Sequence, residues 1–131
     1  MRREAGFVAG WTSDEFTKVG GADELQVTSL RSDGRLSSPR TIWVVPYGDD
    51  LYVRSVNGPG AAWFRGTQVR HEGHISAGGV DRDVTFTDAD HAVDDEIDAA
   101  YQTKYQRYAQ NITDSVKTPG ARSTTMRLLP R

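Results

Sequence analysis

Thr41-Ile42-Trp43-Val44-Val45 is a continuous β-branched and aromatic run, and after Tyr47-Gly48-Asp49-Asp50 the chain answers it with Leu51-Tyr52-Val53-Arg54-Ser55-Val56. Such residues favour extended backbone, and a run without polar alternation is the pattern of a strand covered on both faces. The turn between the runs is far too short for a crossover helix, so they pair as an antiparallel hairpin. A parallel, doubly wound sheet is thereby excluded.

Working outward, residues 24–31 mix apolar Leu25, Val27 and Leu30 with polar positions, as a half-buried strand does, and Ser32-Asp33-Gly34 turns the chain. Before it, Thr12 or Ser13 caps a short helix with Asp14 and Glu15 in its first turn, and Gly20-Gly21 stops it; Trp11 and Phe16 are expected to pack it onto the body. After the hairpin, Asn57-Gly58-Pro59-Gly60 leads into a short helix over residues 61–70. Strands follow at 71–77 and 82–87, separated by Gly78-Gly79. From Asp94 the period changes. Ile97, Tyr101, Tyr105 and Tyr108 share one helical face, with Asp94, Asp95, Glu96 and Asp98 at the start and Lys104 and Arg107 near the end, the order that the helix dipole favours. Pro119-Gly120 breaks the next segment, and residues 123–129 read as a closing strand. The expected class is α+β: a small antiparallel β-barrel with two or three flanking helices, forming one domain over residues 1–131.

The chain has 131 residues, with 16 Lys+Arg against 18 Asp+Glu, 37% hydrophobic residues and no Cys. That suits one core, and the aromatic content argues against disorder. No apolar run approaches the roughly 18 residues of a membrane span, and the first residues lack an apolar signal segment, so a cytoplasmic protein without membrane partners is expected. Near-neutral charge gives no general attraction to nucleic acid. Without Cys there is no thiolate nucleophile and no zinc-thiolate site. His71 and His74 point to opposite faces if residues 71–77 form a strand, His91 stands apart among Asp residues, and Asp88, Asp90, Asp94 and Asp95 lack calcium-loop spacing; no metal is expected. Asn111-Ile112-Thr113 matches a glycosylation sequon, disregarded without an export signal.

The Gly58-Pro59-Gly60 loop is the strongest chemical signal. Glycines let backbone N–H groups approach a ligand, and the helix opening near Ala61 adds its positive dipole end. Arg54, Ser55 and Arg65 flank the loop and are the donors that a phosphate needs. The competing reading is an ordinary turn with solvated arginines. The match to G-x-G-x-x-G is partial, because Trp63 stands at the third glycine and no βαβ unit surrounds it. Trp43 and Trp63 are candidates for stacking on a planar ring, although Trp43, inside the most hydrophobic strand, reads first as core. Tyr101 and Lys104 are one residue too close for the Tyr-x-x-x-Lys of short-chain reductases, and the tyrosine stripe reads as packing or subunit interface. No G-x-S-x-G elbow exists.

Thr41 to Val45, Gly48-Asp-Asp-Leu-Tyr-Val-Arg-Ser55, Gly58 through Trp63-Phe-Arg65, Ala77-Gly-Gly-Val-Asp-Arg-Asp-Val-Thr-Phe86 and Ile97-Asp-Ala-Ala-Tyr-Gln-Thr-Lys-Tyr105 together resemble an uncharacterised bacterial family of small proteins. That family is similar in turn to the split β-barrel proteins that bind flavin mononucleotide (FMN) or the deazaflavin F420, including pyridoxamine-phosphate oxidases and deazaflavin-dependent nitroreductases. Asp33-Gly34, Arg40, Tyr52-Val53, Gly58/Gly60 and Trp63 follow the order of the deazaflavin-dependent members, while the basic, glycine-rich run expected before Arg40 is reduced to Arg35-Leu-Ser-Ser-Pro39. The resemblance implies that Arg40, Arg54, Ser55 and the amides near Gly58 to Ala61 hold a cofactor phosphate. It implies that Trp63 and Arg65 border the cofactor and that the barrel pairs as a homodimer.

The resulting expectation is an oxidoreductase that moves hydride between a flavin or deazaflavin and a small organic substrate, with Trp43, Gly58 and Gly60 also at the cofactor and Tyr47 or His74 as proton donor. The alternatives are a cofactor-independent enzyme of the cyclase or isomerase type, a small-molecule binder on the same barrel, and a structural or regulatory interaction module.

Overall fold

The computed structural model describes residues 7, 8 and 10–131. A two-stranded ribbon, β1 (Phe7–Val8) and β2 (Trp11–Thr12), enters α1 (Ser13–Gly21). Of the two possible caps Thr12 is used. Its hydroxyl accepts from the Glu15 N–H while the Glu15 carboxylate accepts from the Thr12 N–H, a reciprocal capping box. The Thr12 backbone and then Arg82 hold the Glu15 carboxyl below the usual range. Trp11 is fully buried, and Phe16 packs on the main core.

The strands are β3 (Leu25–Ser29), β4 (Arg40–Ile42), β5 (Val44–Tyr47), β6 (Asp50–Val53), β7 (Glu72–Ala77), β8 (Val80–Asp88) and β9 (Met126–Pro130). They form one antiparallel sheet in the order β4-β3-β7-β8-β9-β6-β5. β4 and β5 stand at opposite ends of that order, yet Trp43 alone separates them in the chain. Residues 40–47 therefore pair with β3 through their first half and with β6 through their second, which bends the sheet into a nearly closed barrel. In the β5–β6 hairpin Val44 faces Val53 and Tyr47 faces Asp50, and Gly48 at φ 58° supplies the left-handed turn position. Gly73 of β7 lies where the sheet is tightest: a Cβ there would sit 2.0 Å from the Thr28 carbonyl oxygen and 2.8 Å from the Phe86 ring.

Three helices of nine or more residues flank the barrel, α1, α2 (Ala62–Arg70) and α3 (Asp94–Lys104), joined by the short α4 (Gln110–Asp114) and α5 (Pro119–Arg122). Val44 enters the barrel core, whereas Val45 points the other way into a second cluster with Tyr52, Ile97, Tyr101, Tyr105 and Val116. Coverage on both faces is thus realised at Val44 and Val45 because α3 lies over the sheet. The first half of the run departs from that expectation, since Thr41 is exposed and Ile42 and Trp43 are half-buried beside an opening described below.

Other boundaries also differ from expectation, β8 for instance running from Val80 to Asp88 where 82–87 was expected. α3 stops at Lys104, so Tyr108 and Arg107 lie beyond it, although the Tyr108 ring still reaches Trp43 at 5.2 Å. β6 ends at Val53, releasing Arg54 and Ser55 into other bonds. β9 begins at Met126, not Ser123, because the Thr124 and Thr125 hydroxyls donate back to the Ala121 and Arg122 carbonyls and prolong the helical turn. Among the described residues no helix is long and apolar enough to cross a membrane.

Candidate functional site

Where residues 40–47 change partners, the barrel wall opens onto a cavity of about 530 Å³. Arg40, Thr41, Ile42 and Trp43 form one side, Val56 and Asn57 the next, and Ala61, Ala62 and Trp63 at the start of α2 a third; Ile112, Ser115 and Val116 complete it. Trp43 stacks on Tyr105 with centroids 3.8 Å apart and planes within 4°, so the core fixes one face of the indole while the residue still lines the cavity. Trp43 is therefore a packing residue that also forms part of the cavity wall. Trp63 is half-buried and meets Phe64 edge-on at 6.3 Å. Two indoles on one opening provide flat apolar walls suited to a ring ligand.

Arg40 is exposed, donates to the Pro39 carbonyl at 3.2 Å, and has no carboxylate partner among the described residues. Across from it, α2 begins without a side-chain cap because its N-cap is Ala61. The first N–H groups of α2 and the Arg40 guanidinium thus border one cavity, a combination that favours an anionic group. Gly58 and Gly60 belong to a 3₁₀ turn (Gly58–Gly60) behind Asn57 and Ala61 rather than to the wall itself. Gly58 at φ 76° makes the bend, accepting from the Ser55 hydroxyl at 2.8 Å and from the Ala61 N–H at 3.3 Å.

Arg54 and Ser55 are not brought to the cavity, which corrects their expected role as anion donors. The Arg54 guanidinium is fully buried. Its Nε donates to Thr125 Oγ1 at 2.8 Å, Nη1 to the Asp98 carboxylate and to the Val116 carbonyl at 2.9 Å, and Nη2 to the Asp94 carbonyl at 3.0 Å, with the Asp94 carboxylate 3.8 Å away. It also lies over the Tyr101 ring at 5.6 Å. With these acceptors taken up inside the protein, the cation ties α3 to the barrel and holds the Val116 wall. Ser55 is equally enclosed, its N–H on Thr124 Oγ1 and its hydroxyl on Gly58. Arg65 is exposed on α2 and is not part of the wall. The proton donors expected from sequence are elsewhere too: Tyr47 lines a separate groove, and His74 sits between Asp83 at 2.9 Å and Asp81 at 3.5 Å. Burial raises the Tyr101 and Tyr105 phenols well above their ordinary range, so both hydroxyls remain protonated.

The Ile112–Val116 wall went unnoticed in the sequence. Ile112 and Val116 are four residues apart, a helical spacing that was legible, but nothing local shows that Arg54 draws Val116 toward the barrel. Among the described residues no group of three or more His, Asp or Glu side chains is placed to hold a metal.

A strand shared by both ends of one antiparallel sheet, with an indole-lined cavity at the joint, defines a split β-barrel. The chain belongs to the bacterial family described as "Uncharacterized protein conserved in bacteria (DUF2255)", whose profile matches residues 15–128. Solved structures with a similar fold include one titled "F420 Reductase", at a TM-score of 0.57 and 10% sequence identity, over 88% of this chain and 93% of that one. No curated protein matches the chain.

Proposed function

We propose that the protein binds a flavin or deazaflavin in the cavity at the strand joint and serves as an oxidoreductase on a small organic molecule. The carrying observation is that Trp43 and Trp63 border the same cavity as Arg40 and the uncapped start of α2. Flat walls suit the ring system, and the cation with the helix N–H groups suits a phosphate; the fold likeness to a structure titled F420 Reductase adds support. When bound, such a cofactor supplies hydride transfer, and the protein supplies orientation and water exclusion. Arg40 and the Ala62 and Trp63 amides hold the anion, Trp43 and Trp63 restrict the ring plane, and Arg54 keeps the Val116 wall in place. The reading includes a cytoplasmic homodimer joined near the cavity rim, where Val56 and Ile112 expose 49% and 44% of their surface.

One observation favours a second reading, a cofactor-independent enzyme or binding protein on the same barrel. Of the expected side-chain anion donors, Arg40 alone lines the cavity, and the rest of the wall is mainly apolar. The deciding experiment is an absorbance spectrum of protein from a host that makes both cofactors, followed by titration with FMN and with F420 under a melting assay. A bound chromophore or a ligand-dependent rise in Tm supports the first reading, and a monomer by light scattering removes the dimer. Flat spectra and an unchanged Tm with both leave the second.

A further inference from the structure

Lys104 stands on a second cavity that the proposed function leaves unused. This groove of about 520 Å³ lies between the end of α1 and the outer face of α3, with walls that include Gly20, Gly21, Pro46, Ala99 and Ala100. On α3 Glu96, Ala100 and Lys104 recur every four residues, a different face from Ile97, Tyr101 and Tyr105. Gly20, Gly21, Ala99 and Ala100 leave room there beside the larger Tyr47, Glu96 and Arg107; a Cβ added at Gly21 would meet no atom within 4 Å.

Lys104 is unlike the other two lysines. Lys18 pairs with Asp14 at 2.9 Å and Lys117 with Asp114 at 3.2 Å, while Lys104 has no carboxylate within ion-pair distance among the described residues. Its Nζ donates to the Val44 carbonyl at 2.6 Å and lies 5.0 Å from the Tyr105 ring centroid. Burial disfavours the ammonium and lowers its pKa to about 8, with Asp23 acting upward and Arg107 downward. Asp23 and Arg107 are themselves paired at 2.8 Å, and Glu96 and Tyr47 are the other titratable groups on the walls. An appreciable neutral fraction therefore exists at mildly alkaline pH.

We infer that this groove captures a small apolar aldehyde as an imine on Lys104 Nζ. The nitrogen lone pair adds to the carbonyl carbon while the C=O π pair moves to oxygen. Both amine protons then leave with that oxygen as water, and the C=N bond forms. Nothing is oxidised or reduced. When the amine is freed, the Val44 carbonyl keeps the Tyr105 hydroxyl at 3.2 Å as a donor, shared with the Asp23 carbonyl at 3.0 Å. With Lys104 neutral, Asp23 and Arg107 remain paired with each other and Glu96 is the other charged wall group, while Gly20, Gly21, Pro46, Ala99 and Ala100 offer apolar surface.

The test is reductive trapping of the intact chain with benzaldehyde and sodium cyanoborohydride between about pH 6.5 and 9, read by peptide mass mapping of the three lysines. Relative to Lys18 at the same pH, labelling of Lys104 is expected to be about tenfold faster and to rise through about pH 8. Ala99→Phe places a ring in the groove from an exposed helix position and is expected to slow Lys104 about fivefold without changing Lys117. If that variant melts early, Gly21→Leu blocks the opposite wall instead. Equal labelling of the three lysines, or Lys104 labelling indifferent to the blocking variant, overturns the inference.

Discussion

The two cavities hold nearly equal volumes, about 530 and 520 Å³, at opposite ends of the segment formed by residues 40–47, and they are made in different ways. The first is framed by bulk: two indoles, with Tyr105 stacked behind one of them, and Arg54 bracing the far wall. The second has two glycines and two alanines between larger polar side chains and no indole. A framed cavity keeps its shape when empty and selects by fit, whereas an interval between small residues can be closed by one larger side chain. On the proposed readings, recognition rests on rigid rings at the first, and reactivity rests on one amine at the second.

The comparison breaks most visibly at the brace. Arg54→Ala leaves the Asp98 and Asp94 carboxylates without their buried cation and is expected to remove about 3 to 5 kcal/mol, a Tm loss on the order of 10 °C in a thermal melt, whereas Arg65→Ala stays within about 0.5 kcal/mol. Trp43→Ala comes next, at about 2 to 4 kcal/mol of stability by urea titration, since the half-buried indole loses both its stack on Tyr105 and its share of the joint. Trp63→Ala, which loses packing on the main core and Phe64 but no stacked ring, is expected to cost about 1 to 2 kcal/mol and to weaken ring-ligand binding by about tenfold, measured by fluorescence titration. Arg40→Ala sharpens the contrast further: a charge-assisted bond of about 1.5 to 3 kcal/mol disappears from the binding of a phosphate-bearing ligand, with no change in Tm without ligand.

The remaining effect belongs to the second cavity and depends on pH. Burial holds the Lys104 pKa near 8, below that of an ordinary lysine at about 10.4 in the unfolded chain, so above pH 8 the folded state binds fewer protons than the unfolded one. Stability then rises with pH across that window and is lower where both states are protonated. With solvent screening discounted, the gain is about 1 to 2 kcal/mol, and Lys104→Met is expected to flatten it in melts taken from pH 7.5 to 10.5.

Elements with strong local signals were readable in the sequence: the Gly48-Asp49 hairpin, the capped α1, the acidic start of α3 and its Ile97-Tyr101-Tyr105 stripe. Trp43 and Trp63 were also found, because large rings beside a strand joint and a glycine turn stand out by residue type. Arg54 misled for a physical reason. Its distance from the glycine loop is short in sequence, but the acceptors that claim it, Asp94, Asp98, Val116 and Thr125, lie 40 to 71 residues away. Local spacing carries no information about such partners. Lys104 was noticed for its nearness to Tyr101, while its burial against Val44 depends on a crossing of α3 and β5 that only the tertiary structure provides.

Sharing one strand between the two ends of the sheet has a consequence for association. Open sheet edges recruit other chains, and here the sides left unpaired along residues 40–47 are short, three residues in β4 and four in β5. Even these are blunted: Pro46 offers no N–H, the Tyr105 hydroxyl accepts from the Val44 N–H, and Lys104 occupies its carbonyl. Along residues 40–47 the barrel thus presents almost no template for strand addition, and Trp43 joins the two half-edges.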